Sequence, residues 1–285
     1  MILITGAAGK TGRAIIRALK QRKESVRALV HRIDQVAMLD VLGVDAVLVG
    51  DMLDPASLAR AVQGIQTIYH IAPNVSPDEV NIGKAVIRAA QSTKVERIVY
   101  HSVLHPQIEA MPHHWQKLRV EEFLYESGLA FTILQPAVYM QNILTQWDRI
   151  LENGTYTLPY KAETRLSLVD LDDIAQAAAL ILTEPEHQGA TYELVGTPAM
   201  SQIEISEVLS EQLNRPVEVK NVPLGEWEQA ARASGLGDYQ VLTLIKMFCY
   251  YDQYGLMGNT NVLSHLLHRQ PTSFMDFIKR IKNER

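Results

Sequence analysis

The chain has 285 residues, 47% hydrophobic and 21% charged, with 27 Lys plus Arg against 32 Asp plus Glu and a formal net charge of −5. This composition excludes disordered and fibrous architectures and leaves room for about two domains, or for one α/β domain with a smaller lobe. No apolar run reaches the about 20 residues of a membrane span, and the single cysteine, Cys249, excludes an intramolecular disulfide and a thiol-rich metal site.

The chain opens directly into the strand-like MILIT and a glycine turn, leaving no room for a secretory signal, so a cytoplasmic location is expected. Six apolar runs follow, ILIT (2–5), VRALV (26–30), VDAVLV (44–49), TIYHIA (67–72), ERIVYHS (96–102) and LAFTILQ (129–135), and read as strands. Amphipathic segments alternate with them at Thr11–Gln21, Gln35–Leu42, Pro55–Gln63, Pro77–Gln91 and His113–Glu126. Pro55 and Pro77 suit first helical turns, where a missing N–H costs nothing. Near-continuous Ile/Val/Leu runs indicate strands covered on both faces, and strand–helix–strand repetition predicts right-handed crossovers in a doubly wound parallel sheet, a Rossmann-type α/β fold. Beyond Asn153-Gly154 a short strand is predicted at Arg165–Val169, a helix at Asp172–Thr183 and a late strand at Tyr192–Val195. Helices are then predicted at Gln202–Leu213, Gly225–Ala233, Tyr239–Tyr251 and Ser273–Lys282. The predicted division is a nucleotide-binding domain over 1–152, with 164–196 returning to the sheet, and a smaller, mainly helical lobe from 153–163 and 197–285.

In doubly wound sheets ligands bind beyond the carboxyl ends of the strands. There the sequence places GAAGKTG, Gly6 to Gly12, between the first strand and the first helix. In such a GxxGxxG turn the first glycine allows a tight turn, the second lets backbone approach a pyrophosphate, and the third packs helix against strand. Helix-terminal N–H groups then hold the phosphates. After the second strand stand His31 and Arg32, with no acid before Asp34, which favours NADP(H) and leaves NAD(H) as the alternative. Arg32 as a plain surface residue is the competing reading. Asp51, after the third strand, either meets adenine or caps the Pro55 region.

Residues 1–32 carry eight basic side chains (Lys10, Arg13, Arg17, Lys20, Arg22, Lys23, Arg27, Arg32) and one acid, Glu24, a balance of +7 against −12 for the remainder. Either something anionic docks near this edge, or Arg13, Arg17 and Lys20 form a solvated helix face. Nucleic acid is not expected, because the positive charge is one local block on an acidic chain.

The fifth strand ends at His101-Ser102, and the next helix places His113 and Lys117 four apart on one face. Hydride transfer to a carbonyl needs an orienting hydroxyl, a cation and a proton donor, and Ser102, Lys117 and His113 supply these types. Each has an ordinary alternative as a turn hydroxyl, a surface charge or a helix-start residue. The histidines His101, His105, His113 and His114 show no metal-ligand spacing, and the neighbouring helical glutamates read as solvated, so no metal is expected.

Taken together, GAAGKTG, VRALVHR, VGDMLDPASL, IVYHSVLHP, HHWQK followed by VEEFL, SGLAFTILQPAVYMQN and the late PTSF resemble the NmrA-like proteins, atypical short-chain dehydrogenase/reductases. The resemblance implies a cofactor pyrophosphate at Gly6, Gly9, Lys10, Thr11 and Gly12, and the adenosine phosphate near Arg32. It also implies adenine by Asp51 and Met52, the nicotinamide ribose by Ile71, Ala72, Pro73 and Lys117, and the nicotinamide flanked by Gln135, Pro136 and Val138. The wider superfamily's YxxxK reads HxxxK, with His113 at the Tyr position. An imidazole of pKa about 6.5 replacing a phenol of about 10 suits quinone-like or other conjugated acceptors, whose reduced forms are weakly basic.

The expectation is therefore an NAD(P)H-dependent reductase of a small conjugated acceptor. The alternative is a catalytically silent NADP(H)-binding redox sensor acting through a protein partner, and a nucleotide-sugar epimerase is less well supported. A homodimer is compatible with either. Tyr139, Asn142, Trp147, Tyr156 and Tyr160 read equally as cleft lining or core aromatics, while Trp227, Phe248 and Tyr250 read as packing or self-association residues.

Overall fold

The computed structural model describes residues 1–284. Strand β1 (Ile2–Ile4) leads into α1 (Lys10–Gln21), β2 (Val26–Val30), α2 (Val36–Asp40), β3 (Ala46–Val49) and α3 (Pro55–Val62). The chain continues through β4 (Thr67–His70), α4 (Glu79–Gln91), β5 (Arg97–His101), α5 (Pro112–Glu126) and β6 (Ala130–Pro136). With Thr191–Leu194 the six strands form one seven-stranded sheet, in the order Thr191–Leu194, β6, β5, β4, β1, β2, β3. The strands run parallel; Ile2 lies opposite both Val26 and Thr67, and Ile133 N–H and Ala137 N–H reach Ala190 O and Leu194 O in the same direction along the last strand. The chain winds from β1 out to β3 and then restarts at β4 on the other side, so the strand order reverses between β1 and β4. Ligand crevices form at such switch points. This is the doubly wound Rossmann-type fold that the apolar runs predict.

One apolar layer is built from Leu3, Ile68, Ile98 and Tyr100 of the sheet against Leu58 and Val62 of α3, Val86 and Ile87 of α4, and Val120 and Leu124 of α5, all buried. Each such aliphatic side chain contributes about 1.5–3 kcal/mol when fully removed from water. Helix α3 starts where the sequence indicates, with Pro55 in its first turn and the Asp54 carboxylate accepting from Ala56 N and Ser57 N. Helix α4 starts at Glu79, two residues later than its proline predicts, because Ser76–Asp78 form a turn of their own in which the Ser76 hydroxyl accepts from Asp78 N. The Arg97 guanidinium donates to Leu182 O and Glu184 O and so satisfies carbonyls at the end of the helix Leu171–Thr183.

The backbone divides into two compact units, residues 1–109, 113–135 and 174–192 forming the first and residues 110–112, 136–173 and 193–285 the second. In the second unit the strand expected at Arg165–Val169 is split at Ser167. Arg165–Leu166 pairs antiparallel with Met200–Ser201, and Leu168–Val169 pairs parallel with Val138–Tyr139. Thr155–Leu158 pairs parallel with Glu218–Asn221. Helix Gln202–Leu213 starts from a capping box in which Ser201 Oγ accepts from Glu204 N and the Glu204 carboxylate accepts from Ser201 N. Trp147, Tyr156, Tyr160 and Tyr251 are buried, which makes these aromatics packing residues of this unit, and Trp227 packs edge-on against Phe248. Two fully buried carboxylates hold the C-terminal segment in place. Asp173 accepts from Arg269 Nη2 and Thr272 N, both at 2.6 Å, and Asp170 accepts from Arg280 Nη2 and Gln141 Nε2, both at 2.7 Å. Among the described residues no helix is long and apolar enough to cross a membrane.

Candidate active site

The glycine turn leaves β1 at the switch point. Gly6 has φ +58°, and a Cβ there would lie 2.8 Å from Ile71 O, so both conformation and space demand glycine. A Cβ on Gly12 would lie 2.6 Å from Gly6 O and 2.7 Å from Ala7 Cα, which is how closely α1 packs on the turn. Gly9 is the N-cap of α1 and supplies no side-chain cap, and the first turn of the helix holds no acid. Backbone and helix dipole thus present positive character with no built-in carboxylate to neutralise it, which fits a phosphate group. Thr5 Oγ1 accepts from Ile71 N at 2.9 Å and lies 2.9 Å from His70 Nδ1, tying the ends of β1 and β4 together. Gly6 and Ile71, predicted for different parts of a cofactor, are therefore neighbours. Ala72 is buried and Pro73 exposed on the loop that follows.

After β2, Arg32 is exposed and already paired, its Nε donating to Asp34 Oδ1 and its Nη2 to Asp34 Oδ2, both at 3.1 Å. Asp51, after β3, accepts from Leu53 N at 2.8 Å, whereas the cap of α3 is Asp54. The capping role weighed for Asp51 belongs to its neighbour, because a carboxylate directly before Pro55 reaches two first-turn amides at once. Met52 packs partly against the core.

Lys117 is held from two sides. Its Nζ donates to Glu79 Oε1 at 2.9 Å and to His101 O at 3.3 Å, and the same Glu79 oxygen accepts from the buried Tyr100 hydroxyl at 2.8 Å. The lysine side chain is 16% exposed and that of Glu79 4% exposed, so the ion pair is largely desolvated and fixes the ammonium at the end of β5. Sequence reasoning missed Glu79, since an acid in a first helical turn reads as an ordinary dipole partner.

Four imidazoles surround this cation. His70, His101 and His113 are pushed down to about 3, and His114 to about 4, by burial first. The Lys117 charge lowers all four further. His70 Nε2, His113 Nδ1 and His114 Nε2 are buried with no hydrogen-bond partner. The rings of His113 and His114 stand edge to face, centroids 4.5 Å apart, His114 Nδ1 lies 3.2 Å from His105 O, and the Tyr69 hydroxyl lies 2.7 Å from His101 Nδ1.

Ser102 is buried beneath α5 and donates its hydroxyl to Glu121 Oε1, and Gln135 Nε2 donates to both oxygens of that carboxylate, at 3.0 and 3.1 Å. Burial pushes the Glu121 carboxyl up, while the two donors pull it back. The expectation that the α5 glutamates are solvated is corrected for Glu121, which is 3% exposed, but Glu122 is exposed and pairs with Arg119. The signal was available: Glu121 lies four residues after Lys117 and shares its face. Ser102 and Gln135 are thus brought together through Glu121. Pro136 is buried at the end of β6, and Val138 lies in the short strand paired with Leu168–Val169. Asn142 is exposed.

A Rossmann sheet with a glycine turn at its switch point and a largely desolvated lysine at the end of its fifth strand defines a nucleotide-binding class of protein. The model of the NmrA-like family matches residues 1–278, and the chain belongs to that family. It is 29% identical over 284 residues to an NAD(P)H azoreductase of Xenophilus azovorans, covering 98% of this chain and 97% of the relative. It is 26% identical over 285 residues to quinone oxidoreductase 2 of Escherichia coli strain K12, covering 99% of each. The solved structure of the NADPH-dependent quinone oxidoreductase from Escherichia coli in complex with NADPH superimposes with a TM-score of 0.87 at 26% identity, covering 99% of this chain and 100% of that one.

Proposed function

We propose that this protein is an NADPH-dependent reductase of quinone-like or other conjugated acceptors. The single observation that carries the reading is the Gly6–Gly12 turn, whose backbone is packed so closely at Gly6 and Gly12 that neither has room for a Cβ, at the head of a helix with no side-chain cap and no first-turn acid. NADPH, when bound, supplies the hydride. Gly6, Gly9, Lys10, Thr11 and Gly12 would hold its pyrophosphate, with Asp51 and Met52 at the adenine. Ile71, Ala72, Pro73 and Lys117 would hold the nicotinamide ribose, and Gln135, Pro136 and Val138 would flank the ring. Lys117, pinned by Glu79 and His101 O, has one N–H left to donate to a ribose hydroxyl.

The choice of acceptor follows from the proton inventory. His113 stays neutral near pH 7 and can donate a hydrogen bond but carries no ready proton. The Ser102 hydroxyl is given to Glu121, so polarising an acceptor oxygen would require it to leave that carboxylate. Both features favour acceptors whose reduced forms are stabilised by delocalisation and take protons from water. The names of the azoreductase and quinone oxidoreductase relatives are in keeping with this. A cytoplasmic location and a homodimer or a protein partner complete the reading, the first supported by the lone cysteine.

The test is NADPH consumption across a panel of quinones and azo dyes, with Lys117→Ala as the comparison. Turnover that falls at least tenfold in the variant supports the proposal. Tight NADPH binding without turnover of any acceptor rejects it and leaves the second reading, a cofactor-sensing regulator, which the neutral His113 at the usual acid position favours.

A further inference from the structure

We propose that Arg13, rather than Arg32, is the guanidinium that selects the 2′-phosphorylated coenzyme; the inference rests on the cofactor assignment above and adds to it the residue that discriminates. Arg32 stands in the expected place after β2, but its fork is filled by the carboxylate of Asp34, and the two together are electrically neutral. A phosphomonoester approaching Arg32 would have to displace Asp34 or sit beside a second anion.

Arg13 is in the opposite condition. It lies one residue past Gly12 in the first turn of α1, its Nε is buried with no hydrogen-bond partner, and among the described residues it forms no ion pair. A desolvated guanidinium nitrogen left unsatisfied is costly, and such groups call for a partner that binding supplies.

The lower end of the same helix stripe fixes where Arg13 stands. Lys20, seven residues on and so almost on the same helical face, donates to Asp45, the residue immediately before β3, at 2.8 Å. Helix α1 joins two parallel neighbours and therefore runs antiparallel to them. Seven residues at about 1.5 Å rise carry the stripe about 10 Å from Asp45 toward the carboxyl ends of β2 and β3. Arg13 thus comes level with the segment after β2, the place where doubly wound folds receive the adenosine 2′ substituent. A 2′-phosphate carries close to two negative charges and a bidentate acceptor face, which an unpaired fork meets without first breaking another bond.

The experiment is calorimetric titration of the full chain with NADP+ and NAD+. Arg13→Gln should weaken NADP+ binding at least tenfold and change NAD+ binding less than twofold. Arg32→Gln should change NADP+ binding less than threefold, and Asp34→Asn, which frees Arg32, should likewise gain less than threefold. Arg13→Lys keeps the charge and the stem against a folding defect, and should keep NAD+ affinity while losing part of the affinity for NADP+. Equal loss of both nucleotides in Arg13→Gln, full retention of both in Arg13→Lys, or discrimination that moves with Arg32 and Asp34 instead would each overturn the inference. A wild-type chain that binds neither nucleotide overturns the cofactor assignment itself, and that result is read before any variant is made.

Discussion

Replacing Gly12 by alanine tests the cofactor cradle directly. Its Cβ would sit 2.6 Å from Gly6 O, 2.7 Å from Ala7 Cα and 2.8 Å from Ala7 O, all backbone atoms that cannot swing away. Restoring ordinary contact requires α1 and the turn to part by roughly 0.6–1 Å, and overpacking of this kind costs about 1–3 kcal/mol. Alanine's better helix propensity returns at most about 1 kcal/mol. The net loss expected is about 0–2 kcal/mol by these figures, or a fall of up to several degrees in Tm, with NADPH affinity reduced at least tenfold because the displaced turn is the one that meets the pyrophosphate. Gly9→Ala is the control for packing alone: its Cβ would meet only Gly6 O, at 3.3 Å, and its φ of −68° suits any residue, so it should melt with the wild type even where it impairs the pyrophosphate site. Thermal melts of the two variants and an NADPH titration of Gly12→Ala decide the matter. If Gly12→Ala melts with the wild type and binds NADPH equally well, the close-packing argument is wrong.

The buried imidazoles make stability depend on pH. Their folded pKa values of about 3 to 4 lie below the unfolded value, so the stability they give is complete above about pH 6.5 and lost progressively toward pH 3 as the unfolded chain takes up protons first. Each should remove about 1.5 kcal/mol between pH 6.5 and 5, and urea unfolding that is flat across that interval would refute the assignment. Glu79→Leu strands the Lys117 ammonium in a largely dry site and should raise KM for NADPH with a smaller change in kcat, while Glu79→Gln keeps an acceptor for Tyr100 and should lose less; steady-state kinetics separates the two. Arg280→Ala leaves Asp170 without its cation and should destabilise the chain by about 3 kcal/mol, read as the free energy of urea unfolding.

The sheet was legible because its strands are near-continuous apolar runs separated by amphipathic helices, one of them with a marked start at Asp54-Pro55. The elements that escaped are short or exposed. Trp147–Asn153 and Asn261–Leu267 span barely two turns, too few for a period to register, and Glu218–Asn221 is a mostly exposed strand with no apolar run. The site divides the same way. Glycines at fixed offsets and Lys117 four residues after His113 are visible in one dimension. Glu79 reaching Lys117 across 38 residues and Ser102 reaching Glu121 depend on which side chains the sheet brings level, and local spacing announces neither pairing, whereas Asp34 stands two residues from Arg32 and only the side-chain geometry shows that it fills the fork.

The pairing of Asp170 and Asp173 with Arg280, Arg269 and Thr272 also orders events during synthesis. Arg280 follows Asp170 by 110 residues, and at about 5–20 residues per second the ribosome delivers it roughly 5–20 seconds later. Until then neither acid has its guanidinium, and closing the second unit around them would bury an unpaired charge, so this unit is expected to close only after most of the sheet has emerged. Nascent chains stalled at residue 268 should be cut by protease within 136–268, and those released at full length should resist; equal resistance of the two would show that the clasp is decoration on a lobe that closes without it.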